Sequence, residues 1–167
     1  MLRRFAISSF LLIVFLSLCS VVVIAQSVAP DFVLPVVTSN GLKGQTVTLS
    51  SFRGSVVLLE FMEPWCPHCQ DVAPVLSNLN HRYQTHNVVF LTISGSYGAT
   101  ANDVALFIRD YGSSWTYSFD SSGAVFNTYG VNGTPTFVIV GRDGSIVTKL
   151  VGEESESTLA SAITQAL

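Results

Sequence analysis

Residues 55–70 read Ser-Val-Val-Leu-Leu-Glu-Phe-Met-Glu-Pro-Trp-Cys-Pro-His-Cys-Gln, and this stretch decides the fold. Residues 55–61 are almost continuously apolar, which is typical of a strand buried on both faces of a sheet. Residues 70–83 carry apolar side chains at the spacing of a helix. The sequence therefore predicts a buried strand followed by a helix, with Cys66 and Cys69 at the junction between them.

The rest of the chain predicts strands and helices that alternate before a final hairpin. Strands are predicted at residues 46–49, 88–93, 115–119, 135–140 and 145–151, and turns at residues 40–41 and 43–44. Helices are predicted at residues 103–111, 124–129 and 157–167. Strands that alternate with helices form parallel pairs, whereas a hairpin adds an antiparallel pair. We therefore expect an α/β fold, with a mixed central β-sheet flanked by helices on both faces.

The start of the chain differs in composition from the remainder. Residues 5–25 contain no charged residue, and two arginine residues precede them. Because a bilayer core needs about 20 apolar residues, residues 1–25 are predicted to form a membrane anchor and residues 26–167 the folded domain. The alternative is a signal segment that is cleaved between Ala25 and Gln26. In either case the folded domain is exported, since the basic residues stay in the cytoplasm.

The charge of the chain argues against one class of partner. The net charge is −3, the pI is about 5.4, and no run of Lys or Arg follows Arg4. Proteins that bind nucleic acid present basic patches, so nucleic acid is not expected as a partner. The length of 167 residues favours a single folded domain, which we expect to be a monomer.

Cys66 and Cys69 are separated by two residues at the start of the predicted helix. The first sulfur then lies near the free amide groups and the positive end of the helix dipole, which favour the thiolate, the reactive form of cysteine. His68 adds a donor that can carry positive charge. We therefore expect Cys66 to be the nucleophile and Cys69 to be the less exposed thiol, which resolves a mixed disulfide.

Three other uses of the cysteine pair compete with redox exchange. A structural zinc site needs four ligands, and the chain has no second Cys-x-x-Cys motif, so no metal is expected. Covalent haem would need His directly after Cys69, where Gln70 stands. A purely structural disulfide would close too short a loop to contribute much stability. Redox exchange is therefore the favoured interpretation.

Several motifs of the chain resemble the thioredoxin superfamily. The active-site segment and the cis-proline loop of that superfamily are similar to residues 61–69 with Pro74 and to residues 133–137. Residues 29–32, 49–54 and 129–131 resemble the exported TlpA/ResA branch, which consists of membrane-tethered thiol–disulfide oxidoreductases. The resemblance covers residues 29–167 and implies a thioredoxin-like fold that works without a bound cofactor.

The resemblance also implies roles for residues beyond the cysteines. It implies that the Thr134–Pro135 bond is cis and that the Thr134 backbone faces the cysteines, where it pairs with an extended substrate segment. The alternative is a trans proline that begins a strand. Glu60 matches the position of a buried acidic residue beneath the second cysteine, where burial would raise its pKa and make it a proton acceptor for Cys69. The alternative for Glu60 is a solvated carboxylate at a sheet edge.

The neighbours of Cys66 complete the predicted site. Trp65 and Pro67 flank Cys66 and are predicted substrate contacts, with a packing role as the alternative for Trp65. Pro67-His68 between the cysteines resembles the oxidising disulfide-forming enzymes rather than reductases, so the direction of electron flow stays open. We expect His68 to donate a hydrogen bond to the Cys66 thiolate and thereby make the protein more oxidising.

The predicted function is thiol–disulfide exchange with exported client proteins that contain cysteines, supported by an unidentified redox partner protein. Two alternative functions share the fold. A peroxidase of the peroxiredoxin kind needs Thr or Ser three residues before its reactive cysteine, where this chain has Glu63. A copper carrier uses a cysteine pair with a distant His, which the sequence does not identify.

Overall fold

A computed structural model describes residues 27–167, which contain seven β-strands and four α-helices. In chain order these are β1 (Val33–Thr38), β2 (Gly41–Thr48), β3 (Val56–Met62), α1 (Pro67–Tyr83), β4 (Val88–Ser94), α2 (Ala101–Tyr111), β5 (Thr116–Phe119), α3 (Ala124–Thr128), β6 (Thr136–Val140), β7 (Ile146–Val151) and α4 (Glu156–Ala166). A 3₁₀ helix, Leu49–Phe52, lies between β2 and β3.

The strands form one mixed sheet in the order β2-β1-β5-β4-β3-β6-β7. β3 pairs in parallel with β4 and antiparallel with β6, and β4 pairs in parallel with β5. The hairpins β1–β2 and β6–β7 add antiparallel pairs at the two edges of the sheet. Every residue of β3 is buried. The predicted central strand and the predicted mixed sheet are therefore both confirmed.

Helices cover both faces of the sheet. The side chains of β3 point alternately to one face and the other, so this apolar strand presents apolar surface on both. Leu59 and Phe61 pack on one face, together with Phe126 of α3. Val56 and Leu58 pack on the opposite face, against α1 and α4. α2 packs beside α1 on this second face. The predicted α/β architecture with helices on both faces is thus confirmed.

The second strand is longer than the sequence predicts. β2 includes residues 43–44, which were expected to form a turn, and the strand expected at residues 46–49 is only its last part. Gly44 adopts a positive φ of 70° inside the strand, a conformation that glycine adopts without steric cost. A glycine that marks a turn in the sequence therefore accommodates an irregularity of the strand instead.

The first strand is absent from the prediction because Pro35 lies in its middle. Proline lacks the N–H group that a central strand donates, so a proline within an apolar run argues against a strand. β1 tolerates Pro35 because its pairing with β5 involves only Val36 and Val37. Its pairing with β2 shifts register between Pro35 and Val37. Pro35 therefore lies outside the pairing with β5 and next to an irregularity in the pairing with β2, where it is opposite Thr46.

The remaining elements agree with the prediction to within a few residues. α1 begins at Pro67, earlier than residue 70, because proline favours the first helical position, where its missing N–H costs nothing. α2 begins after Thr100, whose side chain forms a reciprocal capping box with Asp103. Helix periodicity alone does not reveal such first turns, since the residues in them are polar or small.

The predicted membrane anchor at residues 1–25 lies outside the described residues, as does the alternative cleavage position between Ala25 and Gln26. Within residues 27–167, none of the helices combines the length and the apolar character that crossing a bilayer requires. The division of the chain at residue 26 therefore stays a prediction.

Candidate active site

The cysteine pair lies where β3 leads into α1. The turn after β3 is closed by a hydrogen bond that the Cys66 backbone N–H donates to the Glu63 carbonyl at 3.0 Å. Cys66 is the N-cap residue of α1, and both cysteines are free thiols. Cys66 is 5% exposed and Cys69 is fully buried. Cys69 is therefore the less exposed thiol of the two, as predicted.

The loop before β6 lies against the first cysteine. The Thr134–Pro135 peptide bond is cis, as expected. Cys66 Sγ donates a hydrogen bond to the Thr134 carbonyl oxygen at 3.3 Å. The loop is held in this place because Thr136, the first residue of β6, pairs with Phe61 near the end of β3. The Thr134 backbone thus faces the cysteines, and its pairing with a substrate segment stays a prediction.

Glu60 is buried inside the central strand, with an exposed fraction of 1%. Thr92 Oγ1 donates a hydrogen bond to Glu60 Oε2 at 2.6 Å. Burial raises the pKa of Glu60 to about 7, although the hydrogen bond from Thr92 acts in the opposite direction. The alternative of a solvated carboxylate at a sheet edge is therefore wrong. The role of Glu60 as a proton acceptor stays a prediction.

The Cys69 thiol is a much weaker acid than an ordinary cysteine. Burial raises the pKa of Cys69 far above its usual range, and the negative charge of Glu60 adds to this effect. Cys69 therefore keeps its proton at neutral pH until a base removes it. Glu60 is the carboxylate whose charge reaches the buried thiol.

Glu63 is a second buried carboxylate, and it is not among the site residues predicted from the sequence. Its exposed fraction is 3%, and the Tyr97 backbone N–H donates a hydrogen bond to Glu63 Oε1 at 3.2 Å. Within residues 27–167, Glu63 Oε2 has no hydrogen-bond partner. Burial raises the pKa of Glu63 to about 7, opposed by the bond from Tyr97. The available signal in the sequence is a charged residue directly after a central strand, where α/β proteins often place functional groups.

Glu63 lines a groove of about 600 Å³ beside the cysteine pair. Trp65, Phe126 and Thr134 also line this groove. Gly95 lies at the same surface, and a Cβ atom there would clash with Glu63 Oε1 and lie 3.0 Å from the Phe126 ring. The groove therefore depends on a glycine at position 95, and it shares Thr134 with the contact to Cys66.

His68 is exposed at the start of α1 and contacts a residue far away in the sequence. Its Nδ1 atom lies 2.9 Å from Glu153 Oε2, in the segment after β7. The hydrogen bond of Cys66 Sγ goes to Thr134 instead. The structure therefore pairs His68 Nδ1 with Glu153, and the expected donation from His68 to the Cys66 thiolate stays a prediction.

His68 also belongs to a cluster of exposed polar side chains. The ligand atoms of His68, Asp71 and Glu153 lie within 4.8 Å of one another. Among the residues that the structure describes, this is the one group of three His, Cys, Asp or Glu side chains at such distances. The group includes neither cysteine, so it is not the Cys–His set that the copper-carrier alternative requires.

Trp65 and Pro67 lie at the surface on either side of Cys66. Trp65 is 53% exposed, and its Nε1 atom donates a hydrogen bond to the Tyr97 carbonyl at 2.9 Å. Pro67 is exposed as well. The hydrogen bond fixes the indole while leaving much of its surface free, so the residue is available for contact. Its role and that of Pro67 in binding a substrate stay predictions.

The sequence matches the AhpC/TSA family over residues 25–149. Thiol-disulfide oxidoreductase ResA of Bacillus thuringiensis (strain Al Hakam) is 28% identical over 133 residues, which cover 78% of this chain and 72% of that protein. The crystal structure of a putative thiol:disulfide interchange protein DsbE from Chlorobium tepidum superposes on this chain with a TM-score of 0.76 at 29% identity. The superposition covers 84% of this chain and 96% of that chain. A secreted Mycobacterium tuberculosis disulfide oxidoreductase homologous to E. coli DsbE has a TM-score of 0.68 at 26% identity, covering 80% and 95%.

These similarities agree with the geometry of the site. The matched family extends over most of the chain, including the cysteine pair and the cis-proline loop. The similar solved structures confirm the thioredoxin-like fold that the resemblance of the motifs implied. The chain belongs to the AhpC/TSA family and is a thiol–disulfide oxidoreductase with a thioredoxin-like fold.

Proposed function

We propose that this oxidoreductase exchanges disulfides with exported client proteins through Cys66 and Cys69. The observation that carries the proposal is the asymmetry of the pair. Cys66 Sγ meets the carbonyl of Thr134 in the loop before β6, whereas Cys69 is fully buried. Cys66 keeps a small exposed surface that a client sulfur can approach, whereas Cys69 has none. Cys66 is therefore the nucleophile, and Cys69 is the resolving cysteine.

Exchange proceeds by two displacements, each of which forms one S–S bond and breaks another. In the reducing direction, the Cys66 thiolate attacks a client disulfide, forms a mixed disulfide and releases the second client sulfur as a thiolate. The Cys69 thiolate then attacks Cys66 Sγ, which releases the reduced client and leaves a Cys66–Cys69 disulfide. The same steps in reverse oxidise a client dithiol. A redox partner protein restores the starting state of the pair.

Glu60 accepts the proton of Cys69 before the second displacement. The raised pKa of Cys69 means that its thiol needs a base, and Glu60 lies close enough for its charge to affect that thiol. With a pKa of about 7, Glu60 is partly ionised at neutral pH and can both accept and return a proton. The transfer neutralises Glu60 as the Cys69 thiolate forms, so the buried site carries one negative charge throughout.

The client binds as an extended segment beside the loop before β6. The backbone of Thr134 pairs with that segment, in the manner of strand addition, and holds a client sulfur opposite Cys66. Trp65 and Pro67 contact the same segment from the other side of Cys66, a role that their exposure supports. Binding through the backbone suits an enzyme that must accept clients of different sequence.

Two serine variants of the full-length protein test the proposed order of attack. Cys66→Ser should abolish exchange with a disulfide-containing peptide. Cys69→Ser should leave the peptide covalently attached to Cys66, which mass spectrometry without reductant detects as an adduct. Cys19→Ser is the matched control, since it removes the third cysteine of the sequence and should change neither result. A Cys69→Ser variant that forms no adduct and turns over at the normal rate would contradict the assignment.

The reaction takes place outside the cytoplasm, on a domain that residues 1–25 tether to the membrane. The uncharged run at residues 5–25 supports this location, as does the secreted relative from M. tuberculosis. Disulfides persist in oxidising compartments. Carbonate extraction of a membrane fraction should leave the full-length chain in the pellet. A soluble form that begins at Gln26 would show instead that the segment is a cleaved signal.

A further inference from the structure

The groove beside the cysteine pair contains a charged group that the exchange chemistry does not use. Glu63 is almost fully buried, and its Oε2 atom lacks a hydrogen-bond partner within residues 27–167. A buried carboxylate oxygen without a donor is costly, because the protein does not replace the hydrogen bonds that water gave it. Glu60 differs in this respect, since Thr92 donates to its carboxylate. This buried and unpaired oxygen belongs to a residue that lines the groove, and it points to a donor from outside the chain.

The walls of the groove indicate which donor fits. Trp65 and Phe126 line it with aromatic surface, and Glu63 supplies the negative group. A long cationic side chain matches this combination, because its methylene stem packs on apolar surface while its charged end meets a carboxylate. Aromatic faces also attract cations. A purely apolar side chain would fill the groove and leave Glu63 Oε2 without a donor.

We propose that this groove binds a lysine or arginine side chain of the client, close in sequence to the client's reacting cysteine, with its cationic group against the Glu63 carboxylate. The proposal rests on the proposed function, since it concerns the client of that same site. Thr134 both lines the groove and contacts Cys66 Sγ. A client segment that pairs with Thr134 therefore carries its neighbouring side chains past the groove. Glu63 is then a residue that determines specificity and takes no part in the sulfur chemistry.

The test compares peptides that differ at one position. Each peptide contains one intramolecular disulfide, and a Lys, a Gln or a norleucine is placed in turn at each position within two residues of one cysteine. Single-turnover mixing with the reduced full-length protein gives the rate of exchange. We expect the Lys peptide to react roughly tenfold faster than the Gln and norleucine peptides at the favoured positions, a ratio that equals about 1.4 kcal/mol. Extended segments alternate their side chains, so alternate positions should show the preference.

Two variants of the protein assign the preference to its carboxylate. Glu63→Gln keeps an oxygen that can accept the bond from the Tyr97 N–H but loses the charge, so the ratio of Lys to Gln peptide should fall to about one. Asp110→Asn is the matched control, because it removes an exposed carboxylate of α2 that does not line the groove. This control should retain the roughly tenfold preference.

A binding measurement tests the groove proposal without depending on disulfide exchange. The Tyr97 N–H donates to Glu63 Oε1, so its nuclear magnetic resonance signal reports on that carboxylate. A Lys peptide with both cysteines replaced by serine should shift the Tyr97 signal, and the matching Gln peptide should not.

The possible outcomes distinguish a failure of the groove proposal from a failure of the proposed exchange function. Equal rates for the Lys, Gln and norleucine peptides would overturn the groove proposal while leaving the proposed function intact. A Lys preference that persists in Glu63→Gln would overturn it as well. If no peptide reacts faster with the unmodified protein than with Cys66→Ser, the proposed function fails. The Tyr97 signal alone then decides whether the groove binds a cation.

Discussion

Glu60 and Glu63 are three residues apart and almost equally buried, yet they face different regions of the site. Glu60 lies on the face of β3 that is covered by α1, where its charge raises the pKa of Cys69. Glu63 follows the strand on the face of Phe61, whose ring packs against Phe126 at 5.3 Å between centroids. Successive side chains of a strand alternate between faces, so an odd spacing sends the two carboxylates to opposite sides.

The difference between the two carboxylates lies in their hydrogen bonds and not in their burial. Burial raises the pKa of both to about 7. Glu60 is satisfied inside the fold by Thr92, which itself accepts a hydrogen bond from Trp115 Nε1 at 2.8 Å. Glu63 has one buried oxygen without a hydrogen-bond partner within residues 27–167, and the residue lines a groove. A carboxylate that the fold satisfies is suited to exchange protons with an internal group, whereas an unsatisfied one is suited to bind an external group.

The largest expected effect is on the pH dependence of the free energy of unfolding. Folding raises the pKa of Glu60 from 4.5 to about 7, so the folded state binds more protons than the unfolded chain between these values. Stability should therefore fall as the pH rises through this range, with a loss of about 3 kcal/mol from Glu60 that is complete above its folded pKa. Glu63 undergoes a shift in the same direction and adds to the loss, so urea unfolding at about pH 5 and about pH 8 measures the sum, and Glu60→Gln should remove the part that comes from Glu60. An equally steep loss in that variant would contradict the assignment.

The next effect is on the second displacement. Without a base for Cys69, Glu60→Gln should slow release of the client from the mixed disulfide by roughly 30-fold, about 2 kcal/mol. Acid quenching followed by mass spectrometry would then show an accumulated mixed disulfide. The rate of this step in the unmodified protein should rise with pH around 7, as Glu60 becomes ionised. Glu63→Gln should keep that pH dependence, and its loss in both variants would erase the distinction between the two groups.

The smallest expected effect concerns the exposed side of the pair, where His68 meets Glu153. Positive charge near the Cys66 thiolate stabilises the reduced form, so His68→Gln should lower the reduction potential by about 30 mV. Glu153→Gln removes the partner that holds the ring and should raise the potential instead. Equilibration with glutathione buffers measures both. An unchanged or higher potential in His68→Gln would leave His68 as a surface residue without influence on the redox pair.

The parts of the site that are close in sequence are the parts that sequence reasoning predicts. Residues 55–70 carry the strand, the turn and the helix start in one continuous stretch, and their patterns are local. The burial of Glu60 beneath the second cysteine and the cis bond at Thr134–Pro135 are different, since both are implied by the resemblance to a known family and not by any local pattern.

The parts that sequence reasoning does not predict depend on residues far apart in the chain. The groove around Glu63 is completed by Gly95 and Phe126, which reach it from the ends of other elements. The partner of His68 is Glu153, 85 residues away. β1 escapes prediction for a related reason, because whether Pro35 interrupts a ladder depends on which neighbour the strand has. Such pairings are set by tertiary packing, which a periodic pattern does not encode.

The hydrogen bond from Cys66 to Thr134 connects the chemical state of the pair to the release of clients. A thiol has a proton to donate to the Thr134 carbonyl, as it does here at 3.3 Å. A sulfur in a disulfide has none, so oxidation vacates this acceptor and leaves it available for an amide of an arriving client. When exchange returns Cys66 to its thiol form, the enzyme's own S–H competes for the same oxygen. In the oxidising direction of the proposed exchange, reduction of the pair would thereby favour release of the oxidised client.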